Sequence, residues 1–353
     1  MNMQSVLDIP QELASLQGLL TESLSRVETV FAGQLVSDLP PVDEMCQHIE
    51  RYRGKMLRPT LVLLCGIAAN PESDSLLASK EHDKLITHAH IISGAVCEMV
   101  HMATLVHDDV LDEAEIRRRG QTINMLKGNE VSVILGDFLI ASSYELCSSL
   151  NSPIPSQIVG NASAVMCTGE LLQLHNRENL SMDESTYIEI LERKTAALIG
   201  AACELGALAT LGYDQSINPT TLALKSFGQK LGIAFQIQDD VLDLLGKEEE
   251  VGKSVGKDLE KGKLTFPVIH HLENTGVMDG TRSLMMLQQA AAGDRSVFPE
   301  ITKAIESTGS VEATQKLAES YIQQAKDALA KLPESAGRSM LELIADAVIN
   351  RSF

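Results

Sequence analysis

The stretch that decides the fold reads His101-Met-Ala-Thr-Leu-Val-His107-Asp108-Asp109-Val-Leu-Asp112. Asp108 and Asp112 are four residues apart, so a helix carries both carboxylates on one face. Like charges at that spacing destabilise a helix unless something positive lies between them. The apolar residues running into the motif predict a largely buried helix, and buried carboxylates need partners. A hard divalent cation suits such donors, because Mg²⁺ takes one or two carboxylates, keeps waters and shares its other positions with a phosphate.

The pattern recurs at Gln236-Ile-Gln238-Asp239-Asp240-Val-Leu-Asp243, again inside an apolar helical run. Two such helices are expected to face each other across a cavity. Basic residues stand around them. Gly54-Lys55-Met-Leu-Arg58-Pro59 precedes an apolar helix, and Arg117-Arg118-Arg119 follows the first acidic motif. Lys194 lies in Arg193-Lys194-Thr195, and Gly252-Lys253-Ser-Val-Gly256-Lys257-Asp258 follows the second motif. Arg forks and Lys point charges are what diphosphate oxygens bind.

The surrounding chain predicts helices throughout. No proline falls between Pro155 and Pro219, or between Pro219 and Pro267, which leaves room for complete helices. Apolar residues recur at helical spacing from Val311 to Leu332 and from Met340 to Val348. Strand-length alternation is hard to find. Aromatics are 3% with no Trp, so the core is expected to be aliphatic and rich in Ala and Met. The fold class is all-α, a single large helical bundle around a central cavity. No domain boundary is evident, so residues 1–353 read as one domain, with 1–42 as an N-terminal helical extension.

Lys and Arg number 29 against 48 Asp and Glu, a net charge of −19. That excludes the basic footprint of a nucleic-acid-binding protein. No transmembrane segment is expected: the stretch read as most apolar, Ala196–Gly212, carries Glu204 and three glycines. The six cysteines lie far apart with no CxxC and read as reduced, buried thiols of a cytoplasmic protein. A P-loop around Gly252-Lys253-Ser254 fails on spacing from Gly246 and on its helical context. An HD-type metal phosphohydrolase, suggested by His107-Asp108 with His88, His90 and His101, leaves the second acidic motif unexplained.

Taken together, these residues resemble the trans-isoprenyl diphosphate synthases, or polyprenyl synthetases. The resemblance runs from Gly54 to Arg351 and extends to Gly136-Asp137-Phe138-Leu139, Gly169-Glu170 with Gln173, and Gly262-Lys263-Leu-Thr-Phe-Pro267. It implies the isoprenoid-synthase bundle and a Mg²⁺-dependent head-to-tail condensation of isopentenyl diphosphate with an allylic diphosphate, with Mn²⁺ as a substitute. Asp108, Asp112 and Asp239 would hold the metal, with Asp109, Asp240 and Asp243 in support. Arg117, Lys194, Gln236 and Lys253 would bind the allylic substrate. Lys55, Arg58, His101 and Arg118 would bind isopentenyl diphosphate. Lys194, Asp108, Asp109, Asp112, Asp239 and Asp240 are thus the catalytic candidates. Where the family usually reads Arg-Arg-Gly-x-Pro-Thr, this chain has Arg117-Arg118-Arg119-Gly120-Gln121-Thr122, with Arg119 in place of a glycine and Gln121 in place of the proline. A homodimer is the family's usual assembly.

Product length is read from the helix below Asp108. Five residues earlier, about 7.5 Å at 1.5 Å per residue, stands Ala103 beside Thr104, where short-chain relatives place a bulky aromatic floor. Val100 and Cys97 continue the small-residue run. A linear all-trans product longer than twenty carbons is expected, with a geranylgeranyl or shorter product if another wall such as Tyr144 closes the tunnel. A terpene cyclase would leave Lys55 and Arg58 without a task. A non-catalytic synthase subunit typically lacks one acidic motif, and both are intact here.

Overall fold

The computed structural model describes residues 10–50, 54–117, 120–245 and 256–350. Among them the fold is helical, apart from a two-residue ribbon pairing β1 (Ile116–Arg117) with antiparallel β2 (Gly120–Gln121). The principal helices are α1 (Ala14–Gln34), α2 (Pro40–Ile49), α3 (Leu57–Ala69), α4 (His88–Leu111), α5 (Asn129–Ser148), α6 (Ile154–His175) and α7 (Glu184–Leu191). They continue with α8 (Ala197–Leu211), α9 (Pro219–Leu245), α10 (Phe266–Asn274), α11 (Val277–Ala291), α12 (Phe298–Ser307), α13 (Ser310–Leu329) and α14 (Ala336–Ile349). The periodic runs of the C-terminal region are α13 and α14.

The chain divides into two compact units. The first comprises the residues up to Ser163, Leu198–Gly228 and Ala328–Ile344; the second comprises Ala164–Ala197, Gln229–Asp327 and the residues from Ala345 onward. Helices α6 and α9 each contribute residues to both, so the division follows no linker in the sequence.

The first unit is organised on α4, which packs against α1, α3 and α5. Leu61, Val62, Leu63 and Leu64 of α3 are fully buried, each worth about 1.5–3 kcal/mol of transfer free energy. The N-terminal region is part of this core and not an appendage to it: Leu16, Leu20, Leu24, Val27 and Phe31 of α1 are buried. His90 ties the unit together. Its Nδ1 accepts from the Thr87 backbone N–H at the start of α4 (3.1 Å), and its Nε2 lies 3.0 Å from the Thr210 hydroxyl on α8. Burial lowers its pKa to about 4, so this imidazole is neutral and structural. Because Thr87 and Thr210 engage both ring nitrogens, His90 does not fit an HD-type metal set.

The second unit is built on Tyr187, Ile190, Leu191, Ile233, Ile237, Phe266, Val268 and Ile269, with Ile301 and Ile305 closing it from α12. His271 is buried there between the hydroxyls of Ser283 (2.8 Å) and Thr308 (3.0 Å).

Three helical stretches, His88–Leu111, Asn129–Ser148 and Glu184–Leu211, are long and apolar enough to cross a membrane by length and composition. The reading of Ala196–Gly212 as the most apolar stretch did not single them out. The apolar windows of the first and third are mostly covered by protein, whereas that of α5 is only 44% buried. Five cysteines are buried as expected; Cys167 is exposed.

Candidate active site

In the first unit, α4 carries His101, Ala103, Thr104, Asp108 and Asp109, and Asp112 caps its C-terminal end. The motif occupies the last turn because α4 stops immediately after it. Glu113 takes a left-handed conformation (φ 49°), and the Ala114 N–H reaches back to the Asp109 carbonyl at 2.9 Å, a Schellman closure. Asn124 donates to the carbonyls of Asp109 (3.3 Å) and Ala114 (3.1 Å), and Thr122 donates to that of Ala114 (2.6 Å). These two residues hold the end of the acidic helix, a role the sequence reading did not assign them.

Burial divides the acidic residues. Asp109 is 1% exposed and its carboxylate is gripped by Arg117, whose Nε lies 2.8 and 3.0 Å from the two oxygens. Asp108 and Asp112, on either side, remain partly exposed. The guanidinium expected on the allylic substrate is therefore paired with the buried aspartate. His107 links α4 to α5 through the Val133 carbonyl (3.1 Å) and Asp137 (3.6 Å). A Cβ on Gly136 would sit 2.1 Å from His107 Nε2, which explains the glycine of Gly136-Asp137.

Lys55 is exposed and Arg58 half-buried at the head of α3, joined by Met56 in a left-handed conformation (φ 54°). That strain sits where the sequence placed a binding site. Arg58 Nε is a buried donor without a hydrogen-bond partner, as a site for an absent anion would leave it. Burial lowers the Arg58 pKa, and the buried carboxylate of Glu98 opposes that shift. Glu98 was not singled out from the sequence.

In the second unit the helix running from α7 to α8 contains a π-helical turn at Glu192–Ala196, holding Arg193-Lys194-Thr195. Such turns are frequent at functional sites. Lys194 forms an ion pair with Glu170 of α6. A Cβ at Gly169 would lie 2.6 Å from the Lys194 backbone nitrogen, so Gly169 permits the approach of α6 to this turn.

The second motif, on α9, divides as the first does. Asp240 and Asp243 are buried at 6% and 8% exposure, whereas Asp239 is partly exposed. Asp240 accepts from the Tyr187 hydroxyl at 2.6 Å and from Gln236 Nε2 at 2.9 Å. Burial, then the nearby Asp258 charge, raises its pKa, and burial raises that of Tyr187. Asp243 accepts from the backbone N–H groups of Asp258 (3.0 Å, side chain) and Gly256 (2.7 Å, carbonyl), which folds the Gly256-Lys257-Asp258 segment onto α9. Arg118 and Lys253 lie outside the described residues. Among the described residues no three His, Cys, Asp or Glu side chains converge on a metal position. The donor chemistry still fits Mg²⁺, which needs only one or two carboxylates besides phosphate and water.

A polyprenyl synthetase family model matches residues 40–305. The chain belongs to the polyprenyl synthetase family. The chain is 33% identical to component 2 of the heptaprenyl diphosphate synthase of Bacillus subtilis, covering 95% of this chain and 89% of that one. It is 32% identical to a short chain isoprenyl diphosphate synthase of Methanothermobacter thermautotrophicus, over 90% and 93% of the two chains. Among solved structures, a decaprenyl diphosphate synthase from Rhodobacter capsulatus superposes with TM-score 0.82 at 33% identity, covering 96% of this chain and 99% of that one. A polyprenyl synthase from Caulobacter crescentus, complexed with calcium and isoprenyl diphosphate, gives TM-score 0.83 at 30% identity, covering 96% and 98%. This polyprenyl synthetase is thus a prenyltransferase of isoprenoid biosynthesis, and its family uses divalent metal.

Proposed function

We propose that the enzyme condenses isopentenyl diphosphate with an allylic diphosphate, head to tail, and releases a linear all-trans polyprenyl diphosphate longer than twenty carbons. The observation that carries the length is on α4. Below the acidic motif stand Ala103, Val100 and Cys97, small side chains packed within the protein, with the partly exposed Thr104 beside Ala103 and no aromatic among them. Each further five-carbon unit laid along such a wall gains about 25 cal/mol for every Å² of apolar surface it buries. The heptaprenyl and decaprenyl diphosphate synthases among the relatives support a product longer than twenty carbons, and these residues give a physical reason for it.

The partly exposed Asp108, Asp112 and Asp239 are the residues we assign to Mg²⁺, with Mn²⁺ as substitute. When bound, the cation neutralises diphosphate charge and eases its departure. Lys194 and Gln236 hold the allylic diphosphate, and Arg58, with its unsatisfied Nε, takes isopentenyl diphosphate together with Lys55 and His101. The apolar walls exclude water from the allylic cation. Arg117 acts through Asp109. The proton lost on coupling goes to the released diphosphate.

We further assign a cytoplasmic location and a homodimer in which α5 is covered, since Val133 and Ile134 of that helix are 41% and 66% exposed. The test is a product assay with isopentenyl diphosphate, an allylic primer and Mg²⁺. Elongation beyond twenty carbons, abolished by excess chelator and shortened by Ala103→Tyr, is the expected outcome. A product that stops at fifteen carbons, or one unchanged by Ala103→Tyr, contradicts the length reading.

A further inference from the structure

Tyr187 stands outside both acidic motifs, yet it reaches into the second. It is 3% exposed, on α7, with its ring set 6.2 Å from that of Phe266. Its hydroxyl donates to Asp240 Oδ2 at 2.6 Å. The other oxygen, Oδ1, accepts from Gln236 Nε2 at 2.9 Å, one helical turn earlier on α9. Gln236 Oε1 in turn accepts from the Thr195 hydroxyl at 3.2 Å, in the π-helical turn beside Lys194. A carboxylate acceptor on one side and a hydroxyl donor on the other define which end of the Gln236 amide is nitrogen. The chain of bonds therefore ends at the residues assigned to the allylic diphosphate.

We propose that Tyr187 is a positioning residue for allylic diphosphate binding: by fixing Asp240 it fixes the Gln236 amide and directs its second N–H to a diphosphate oxygen. This rests on the synthase reading above. Asp240 has both oxygens taken by protein donors, so its task is to orient and not to meet substrate. Tyr187→Phe keeps the ring against Phe266 and removes only the hydroxyl. It leaves Oδ2 without its donor in an apolar surround, where a buried polar atom that loses its partner is disfavoured. The Gln236 amide then loses its anchor.

The test is steady-state kinetics of the full chain with Mg²⁺, varying each substrate in turn, together with thermal unfolding. Tyr187→Phe should raise KM for the allylic diphosphate about tenfold, within the range that one lost buried hydrogen bond allows, and change KM for isopentenyl diphosphate less than twofold. In a Gln236→Leu background the same substitution should add no further allylic defect. An unchanged allylic KM in an active Tyr187→Phe enzyme overturns the positioning role alone. So does an equal rise in both KM values with a lowered unfolding midpoint, which marks a merely structural residue. Should Tyr187→Phe fail to fold, Thr195→Val probes the chain from its other end, with the same allylic-selective rise expected and an unchanged KM overturning the role. A wild-type enzyme that makes no elongated product overturns the synthase reading, and the role with it.

Discussion

Spacing alone treats the aspartates of the two motifs alike; burial separates them. Asp109, Asp240 and Asp243 are buried and bound by protein donors, and Asp108, Asp112 and Asp239 are partly exposed. The family resemblance implies a division along the same residues, into metal-holding and supporting aspartates. A residue-scale prediction concerns His90. Its pKa is lowered from 6.5 to about 4 by burial. Between those values the unfolded chain binds a proton that the folded chain does not. The stabilisation is complete above pH 6.5 and declines as pH falls toward 4, by up to about 3 kcal/mol. Urea unfolding across this range should show that loss in the wild type and a flatter profile in His90→Asn. Parallel profiles would assign the acid sensitivity to other groups.

At the scale of elements, periodicity revealed where helices run but not how they end or where they bulge. Arg193-Lys194-Thr195 lies in a π-helical turn inside a longer helical run. Nothing local marks such a turn, because it is imposed by neighbours, here Gly169 of α6 against the Lys194 backbone. The end of α4 was equally hidden. Glu113 holds the left-handed position that glycine usually fills. An L-residue there costs about 1–2 kcal/mol, and glycine's greater freedom in the unfolded chain offsets part of the gain. Glu113→Gly should therefore raise stability by about 0.5–1 kcal/mol, seen as a higher denaturant midpoint at constant slope. A lower midpoint would show that the Glu113 side chain itself stabilises the closure.

At the scale of the whole molecule, α5 presents Ile134 at 66% exposure in a helix as apolar as a membrane span. Covering that face in a homodimer predicts a two-chain mass by sedimentation at micromolar concentration. Ile134→Lys should move the mass toward one chain without loss of helical content. A single-chain mass for the wild type would leave the face to another partner. The all-α class, the two aspartate-rich motifs and the basic residues around them were determined by sequence, because helical period and charge type are local properties of a few consecutive residues. The division into two units was not legible, since α6 and α9 run through the boundary without a break in pattern. Nor were Tyr187, Asn124 and Glu98. Tyr187 meets an aspartate 53 positions away and Asn124 a carbonyl 15 positions away. Hydrogen-bond partners at such separations exist only once packing has placed one helix against another, so tertiary structure alone decided which carboxylates are buried and which remain partly exposed.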